Sequence, residues 1–144
     1  MKKSLLTGLA AAALMATTLP AGAATLTVVA ENVKKAKGKV IVAVYEEDKF
    51  LSDEEGAQIY TAAVPAEKGP VTLTIKDVKP GTYGFVIFHD ANSNNDLDRN
   101  FIGLPKEGIG FSNGAKINMA PPKFEDARFD VDQEGATQAI ALDY

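Results

Sequence analysis

From Thr25 onward, apolar and polar residues alternate with the period of a β-strand along much of the chain. Leu26, Val28 and Ala30 share one face of Thr25–Glu31, and Val40, Val42 and Val44 share one face of Lys39–Tyr45. Val71, Leu73 and Ile75 alternate with Thr72, Thr74 and Lys76, the pattern of a strand with one face in a core and the other in water. Thr82–His89 is apolar on both faces, with Tyr83, Phe85 and Ile87 opposite Val86 and Phe88, which predicts a central strand. Further strands are expected at Ala127–Val131 and Thr137–Leu142, joined by a turn at Gln133–Gly135, and weaker ones at Gln58–Val64 and Gly114–Met119. Only Ser52–Ile59 hints at helix: Ser52 and Glu55 have capping-box spacing, but Gly56 limits it to one turn. Short strands, turn signals such as Asp77–Gly81 and no long amphipathic helix predict an all-β fold. The expected form is an antiparallel β-sandwich of about seven strands, immunoglobulin-like, with one long irregular loop; a closed barrel is the alternative. Its core should contain Val40, Val42, Val71, Leu73, Ile75, Phe85, Ile87 and Ile140.

The irregular loop is Asp90–Asn113, DANSNNDLDRNFIGLPKEGIGFSN. Asp90, Asn92, Asn94, Asp96 and Asp98 fall on alternate residues, which lets a tight turn aim successive oxygens at one point. Calcium takes about six to eight oxygen ligands, and the familiar calcium loop supplies them from its first, third, fifth, seventh and ninth positions, the seventh through its backbone carbonyl. Two positions depart from that loop. The sixth is Asn95 rather than Gly, which is tolerable because Asn adopts left-handed backbone angles. The twelfth is Phe101 rather than a bidentate Glu, so a carboxylate must come from elsewhere, with Glu107 and Asp126 the nearest candidates. The competing reading is a metal-free loop in which Asp and Asn side chains bond their own backbone. If the metal reading holds, neutralising Asp90 or Asp98 should abolish a calcium response and leave metal-free stability nearly unchanged or slightly raised. Phe101, Ile102, Leu104, Ile109 and Phe111 either form an apolar rim for a ligand or fold back over one end of the sandwich.

Residues 1–23 have the character of a secretory signal: Lys2 and Lys3, then an uncharged apolar run over Leu5–Leu19, then Ala21-Gly22-Ala23. The run is shorter than the roughly 20 apolar residues a membrane span needs, so a periplasmic or extracellular protein is expected. Cleavage after Ala23 or Ala24 leaves one β-sandwich domain over residues 24–144. Without Lys2 and Lys3, 13 basic residues remain against 19 acidic, a formal charge of −6 that disfavours nucleic acid as a partner. The chain has no cysteine, which removes disulfides, lipoprotein anchoring and thiol chemistry.

Pro80-Gly81-Thr82-Tyr83, a strand ending His89-Asp90, the Asn92/Asn94/Asp98 loop, the run Gly103–Asn113 and then Phe124-Glu125-Asp126-Ala127 together resemble a bacterial family, domain of unknown function 2141. The resemblance extends over nearly the whole chain after the signal and implies an exported protein with no established activity. The Pro-Gly-Thr-Tyr turn is also similar to those of transthyretin-like sandwiches, a broader likeness that carries no function.

Candidate chemistry is sparse. His89 is the only histidine, which excludes multi-histidine metal centres and leaves no second imidazole for a nucleophilic relay. His89 itself reads as an acid/base, a metal neighbour or a hydrogen-bonded strand end. Glu107 with Asp98 or Asp126 could form the carboxylate pair of a glycan hydrolase, the enzymatic alternative. Gly103, Gly108, Gly110 and Gly114 lack the spacing of a phosphate loop. The reading that results is a non-enzymatic binding or accessory module, with calcium as its cofactor and a small molecule, glycan or envelope protein as its partner.

Overall fold

The computed structural model describes residues 24–98, 105 and 107–144. Within them the chain forms two packed sheets from eight strands: β1 (Ala24–Val33), β2 (Lys39–Tyr45), β3 (Tyr60–Pro65), β4 (Gly69–Val78), β5 (Gly81–Asp90), β6 (Ile109–Phe111), β7 (Phe129–Val131) and β8 (Ala136–Ile140). One sheet has three strands in the order β4-β1-β8; β1 runs antiparallel to β4 and parallel to β8. The other has five strands in the order β3-β2-β5-β6, with β7 also on β5. Two open sheets face each other, so the architecture is the all-β sandwich that the alternation predicts and not the barrel.

The period-two pattern holds because one face of each sheet must leave water. Leu26, Val28, Val40, Val42, Val44, Leu73, Phe85 and Ile87 are fully buried between the sheets, with Val71, Ile75 and Ile140 nearly so, while Thr72, Thr74 and Lys76 are exposed. β5 is apolar on both faces because it is covered on both. Its outward Val86 and Phe88 join Ala43, Tyr45, Ala57, Ile109, Phe111 and Ala127 in a second cluster on the outside of the five-stranded sheet. Ile109 and Phe111 thus fold back onto the sandwich; Phe101, Ile102 and Leu104 lie outside the described residues.

Three local expectations need correction. Gly114–Met119 is not a strand; the pairing segment is β6, five residues earlier, and it runs into a 3-10 turn at Ser112–Gly114. Ser52–Ile59 forms no helix: it makes one hydrogen-bonded turn, Ala57 N–H to the Glu54 carbonyl at 3.1 Å, with the Ser52 hydroxyl accepting the Glu54 N–H at 3.2 Å, and the 3-10 turn lies earlier, at Glu47–Lys49. The start of Ala127–Val131 is a short helical turn, α1 (Phe124–Ala127), with the strand confined to β7.

β6 and β7 occupy successive lengths of one edge of β5, pairing at Val86–Phe88 and Gly81–Tyr83 respectively. Phe85 falls in the gap between them. Its N–H is taken by the hydroxyl of Ser112 at 2.9 Å, and that hydroxyl donates in turn to the Ala127 carbonyl. At the other end of the preceding turn, the Tyr83 hydroxyl donates to the Lys79 carbonyl at 2.6 Å, and the Lys79 N–H donates to the Tyr60 hydroxyl at 3.1 Å. The connection into β5 is therefore pinned by Tyr60 of β3 and Tyr83 of β5, both in the five-stranded sheet, which fixes the start of β5 and hence the place where its far end delivers Asp90.

Candidate metal-binding loop and the cleft beside it

β5 ends on His89 and Asp90, both inside the protein at 2% and 0% exposure. A buried carboxylate needs donors for its oxygens, and the loop supplies them: Asn94 N–H donates to Asp90 Oδ1 at 3.1 Å and Asn95 N–H to Asp90 Oδ2 at 2.8 Å. To bring both N–H groups to one side chain, the backbone turns left-handed at Ser93 (φ 56°) and Asn95 (φ 64°). Asn95 thus does in this loop what Gly does in the familiar one.

The other sequence-predicted oxygens lie on the same loop in two linked sets. Asn92 Oδ1 accepts the Asn94 N–H at 3.2 Å and Asn94 Oδ1 accepts the Asp96 N–H at 3.0 Å, consecutive Asx turns. Both amide nitrogens point at Asp98: Asn92 Nδ2 donates to Asp98 Oδ2, and Asn94 Nδ2 to Asp98 Oδ1 at 2.8 Å. The Asp96 carboxylate is elsewhere, accepting the Leu97 N–H at 2.9 Å. Asx turning is therefore present as these side chains stand, and among the described residues no three His, Cys, Asp or Glu side chains are grouped to hold a metal ion. Any ion here must also draw on amide and main-chain oxygens. Each Asx-turn carbonyl has a second lone pair left for that.

Of the two carboxylates expected to replace the missing twelfth ligand, the fold brings one. Glu107 Oε1 accepts the Ala91 N–H and Oε2 the Asp98 N–H, each at 3.2 Å, so this side chain spans the loop from its first turn to its last. Asp126 instead accepts the Lys123 N–H at the start of α1. Burial raises the Glu107 carboxyl above the usual carboxylate range; the bonds from the Asp98 and Ala91 N–H groups pull it down, and the charges of Asp98 and Asp90 push it up.

Asp90's burial alters one expectation. Repulsion between neighbouring carboxylates predicts that neutralising Asp90 costs no metal-free stability. Both Asp90 oxygens accept backbone N–H groups, however, so an Asn in its place would set an NH₂ donor against one of them.

The connection from β1 to β2 crosses between the sheets and packs against this loop. Gly38, at φ +72°, allows it: a Cβ there would fall 2.0 Å from the Asp90 carbonyl oxygen. Lys39 Nζ then donates to Asn95 Oδ1, and the Lys37 carbonyl accepts a bond of 2.7 Å from His89 Nε2. With Nε2 protonated, His89 Nδ1 accepts from the Tyr144 hydroxyl at 3.0 Å, and that hydroxyl accepts the Lys34 N–H at 3.0 Å. His89 is a fully hydrogen-bonded strand end with neither nitrogen free in this arrangement. The run Lys34-Lys35-Ala36-Lys37-Gly38-Lys39 was visible in the sequence, but nothing in its spacing pointed to the loop some fifty residues later.

Beside the loop lies a cleft of about 250 Å³, lined by Lys34, Lys35, His89, Ala91, Glu107, Gly108 and Tyr144. Glu107 is the one carboxylate among these lining side chains.

Fold and loop together define a two-sheet β-sandwich with an oxygen-rich loop at the buried end of β5. The chain belongs to the family described as uncharacterized protein conserved in bacteria, DUF2141, whose model matches residues 28–139, from within β1 to within β8. Comparison with curated proteins and with solved structures gives no match.

Proposed function

We propose that this is an exported, non-catalytic binding or accessory module whose Asp90–Asp98 loop, closed by Glu107, takes a calcium ion. One observation carries the reading: Glu107 spans the loop between the Ala91 and Asp98 N–H groups, supplying a carboxylate where Phe101 leaves the loop without one. The donors of Asp90, Asn92, Asn94, Asp98 and Glu107 are all oxygens, the set a hard cation prefers. Calcium would neutralise the charges that crowd this end and hold the loop in one shape before a partner, whether small molecule, glycan or envelope protein. Export to the periplasm or beyond rests on Lys2, Lys3, the apolar run and Ala21-Gly22-Ala23, all outside the described residues.

Thermal melting of residues 24–144 with and without calcium tests the site. Binding is expected in the range of about 10⁻⁴ to 10⁻³ M, typical of extracellular modules. At a free concentration 100 times the dissociation constant the gain is about 2.7 kcal/mol. Asp98→Asn combined with Glu107→Gln should remove that gain; an equal calcium shift in this variant and in the wild type sinks the reading. For export, the full chain expressed in a bacterium should yield a shortened protein beginning at Ala24 or Thr25 outside the cytoplasm.

A further inference from the structure

We propose that the cleft between the β1–β2 crossing and Gly108 binds a small organic anion, with Lys34 and Lys35 taking its charged head and Tyr144 its apolar body. The site goes beyond the calcium reading and does not require it.

The polar groups that line the cleft are unequally committed. Both His89 nitrogens are bonded, to the Tyr144 hydroxyl and the Lys37 carbonyl, and the Tyr144 hydroxyl both donates to His89 and accepts from Lys34 N–H. Both Glu107 oxygens accept N–H groups of the acidic loop. Lys34 and Lys35 remain. Among the described residues the side-chain ion pairs are Lys49–Glu54 and Lys116–Asp143, and neither ammonium of the cleft belongs to one. Two lysines in the lining, neither in a side-chain ion pair, against one carboxylate, Glu107, favour an anion.

The rest of the lining is aromatic or small. Gly108 is where the Tyr144 ring rests: a Cβ there would lie 2.5 Å from the ring. The His89 and Tyr144 rings meet edge to face with centroids 6.0 Å apart, and Lys34 Nζ sits 4.4 Å from the Tyr144 centroid. The ring is thus held against Gly108 with the Lys34 ammonium over it, and the part of Tyr144 that stays exposed lies next to that charge. The cleft's volume of about 250 Å³, below the roughly 300–1,000 Å³ of sites for drug-sized molecules, gives room for a compact ligand. A carboxylate or phosphate on a small planar or aliphatic body fits that description.

Benzoate is the probe, titrated into ¹⁵N-labelled residues 24–144 in calcium-free buffer, with benzamide and benzylamine as its neutral and cationic counterparts. Benzoate should shift the amides of Lys34, Lys35, Ala91 and Gly108 saturably at millimolar concentration, and the other two should not. Lys34→Gln with Lys35→Gln should weaken benzoate by about tenfold or more while the melting temperature holds, since both residues are exposed. Tyr144→Leu should weaken benzoate more than Tyr144→Phe, which loses the same bonds to His89 and Lys34 but keeps the ring. Equal binding of benzamide or benzylamine, an unchanged affinity in the lysine variant, or no shift at all overturns the proposal. Because calcium is absent throughout, none of these outcomes bears on the metal loop, which the melt reads separately.

Discussion

Leu73 and Asp90 are both wholly buried, yet they hold their regions together by opposite means. Leu73 lies between the sheets among aliphatic side chains, where stabilisation comes from removing apolar surface from water and needs no particular angle. Asp90 lies at the sandwich end, where a charge is tolerated only because two backbone N–H groups meet it. The first region should be indifferent to ions. The second is built of charges and hydrogen bonds, so ions and neutralising substitutions should act there.

The largest expected effect is in the apolar region. Leu73→Ala should cost about 2 to 5 kcal/mol in a denaturant melt, by lost burial and a residual cavity, and the loss should be the same with or without calcium. A loss under about 0.5 kcal/mol would show that the inner face does not carry the fold.

Smaller losses of about 1 to 3 kcal/mol are expected where a buried polar group loses its partner. Asp90→Asn should fall there without calcium, and should also remove the calcium response. Ser112→Ala should cost a similar amount by leaving the Phe85 N–H and Ala127 carbonyl unpaired, but with the calcium response intact. If Asp90→Asn melts like the wild type in the absence of calcium, the N–H groups of Asn94 and Asn95 do not depend on its charge.

Tyr83 sharpens the comparison through pH. Its hydroxyl is pushed up to about 12, first by burial and then by the neighbouring Tyr60, with Glu46 adding less. In the unfolded chain a tyrosine ionises near pH 10, so between about pH 10 and 12 the folded state holds more protons than the unfolded one. Stability must fall as pH rises through that window. Tyr83→Phe should reduce the fall, at a cost near neutral pH of about 0.5 to 1.5 kcal/mol for the lost bond to Lys79. An unchanged alkaline slope in the variant would assign the loss to another group.

Asp98→Asn should have the smallest metal-free effect, within about 0.5 kcal/mol, because the side chain is only partly buried and its partners can turn to water. It should nonetheless greatly weaken the calcium response. The pair Asp98→Asn and Leu73→Ala should therefore separate ion response from stability in both directions.

Much of the sandwich was legible because its cause is repetitive. A strand with one wet face repeats its demand every second residue, so Val71, Leu73 and Ile75 declare their face without any partner being known. β6 escaped notice because three residues cannot establish a period, and Ile109-Gly110-Phe111 pairs with β5 only because the chain returns there. Gly114–Met119 misled because alternation in that short stretch is satisfied by an exposed loop, with Met119 in solvent. At the loop, alternate oxygens and the turn at Asn95 were evident from spacing alone. Glu107 could be named only as one of two candidates, since choosing it over Asp126 depends on where the chain goes after β5.

The sequence by itself determined the all-β class, the inward residues of its long strands and the oxygen-rich character of the Asp90–Asp98 loop. These follow from local periodicity and residue chemistry, while the choice of two open sheets over a barrel came from the structure. Only the tertiary structure decided that Glu107 spans that loop, that Ser112 fills the gap in β5's pairing, and that Lys34, His89 and Tyr144 meet in one cleft. Those contacts join positions 16, 27 and 110 residues apart, and no local preference of the backbone encodes such a distance; they exist because the packed sheets leave each group one place where its hydrogen bonds can be made.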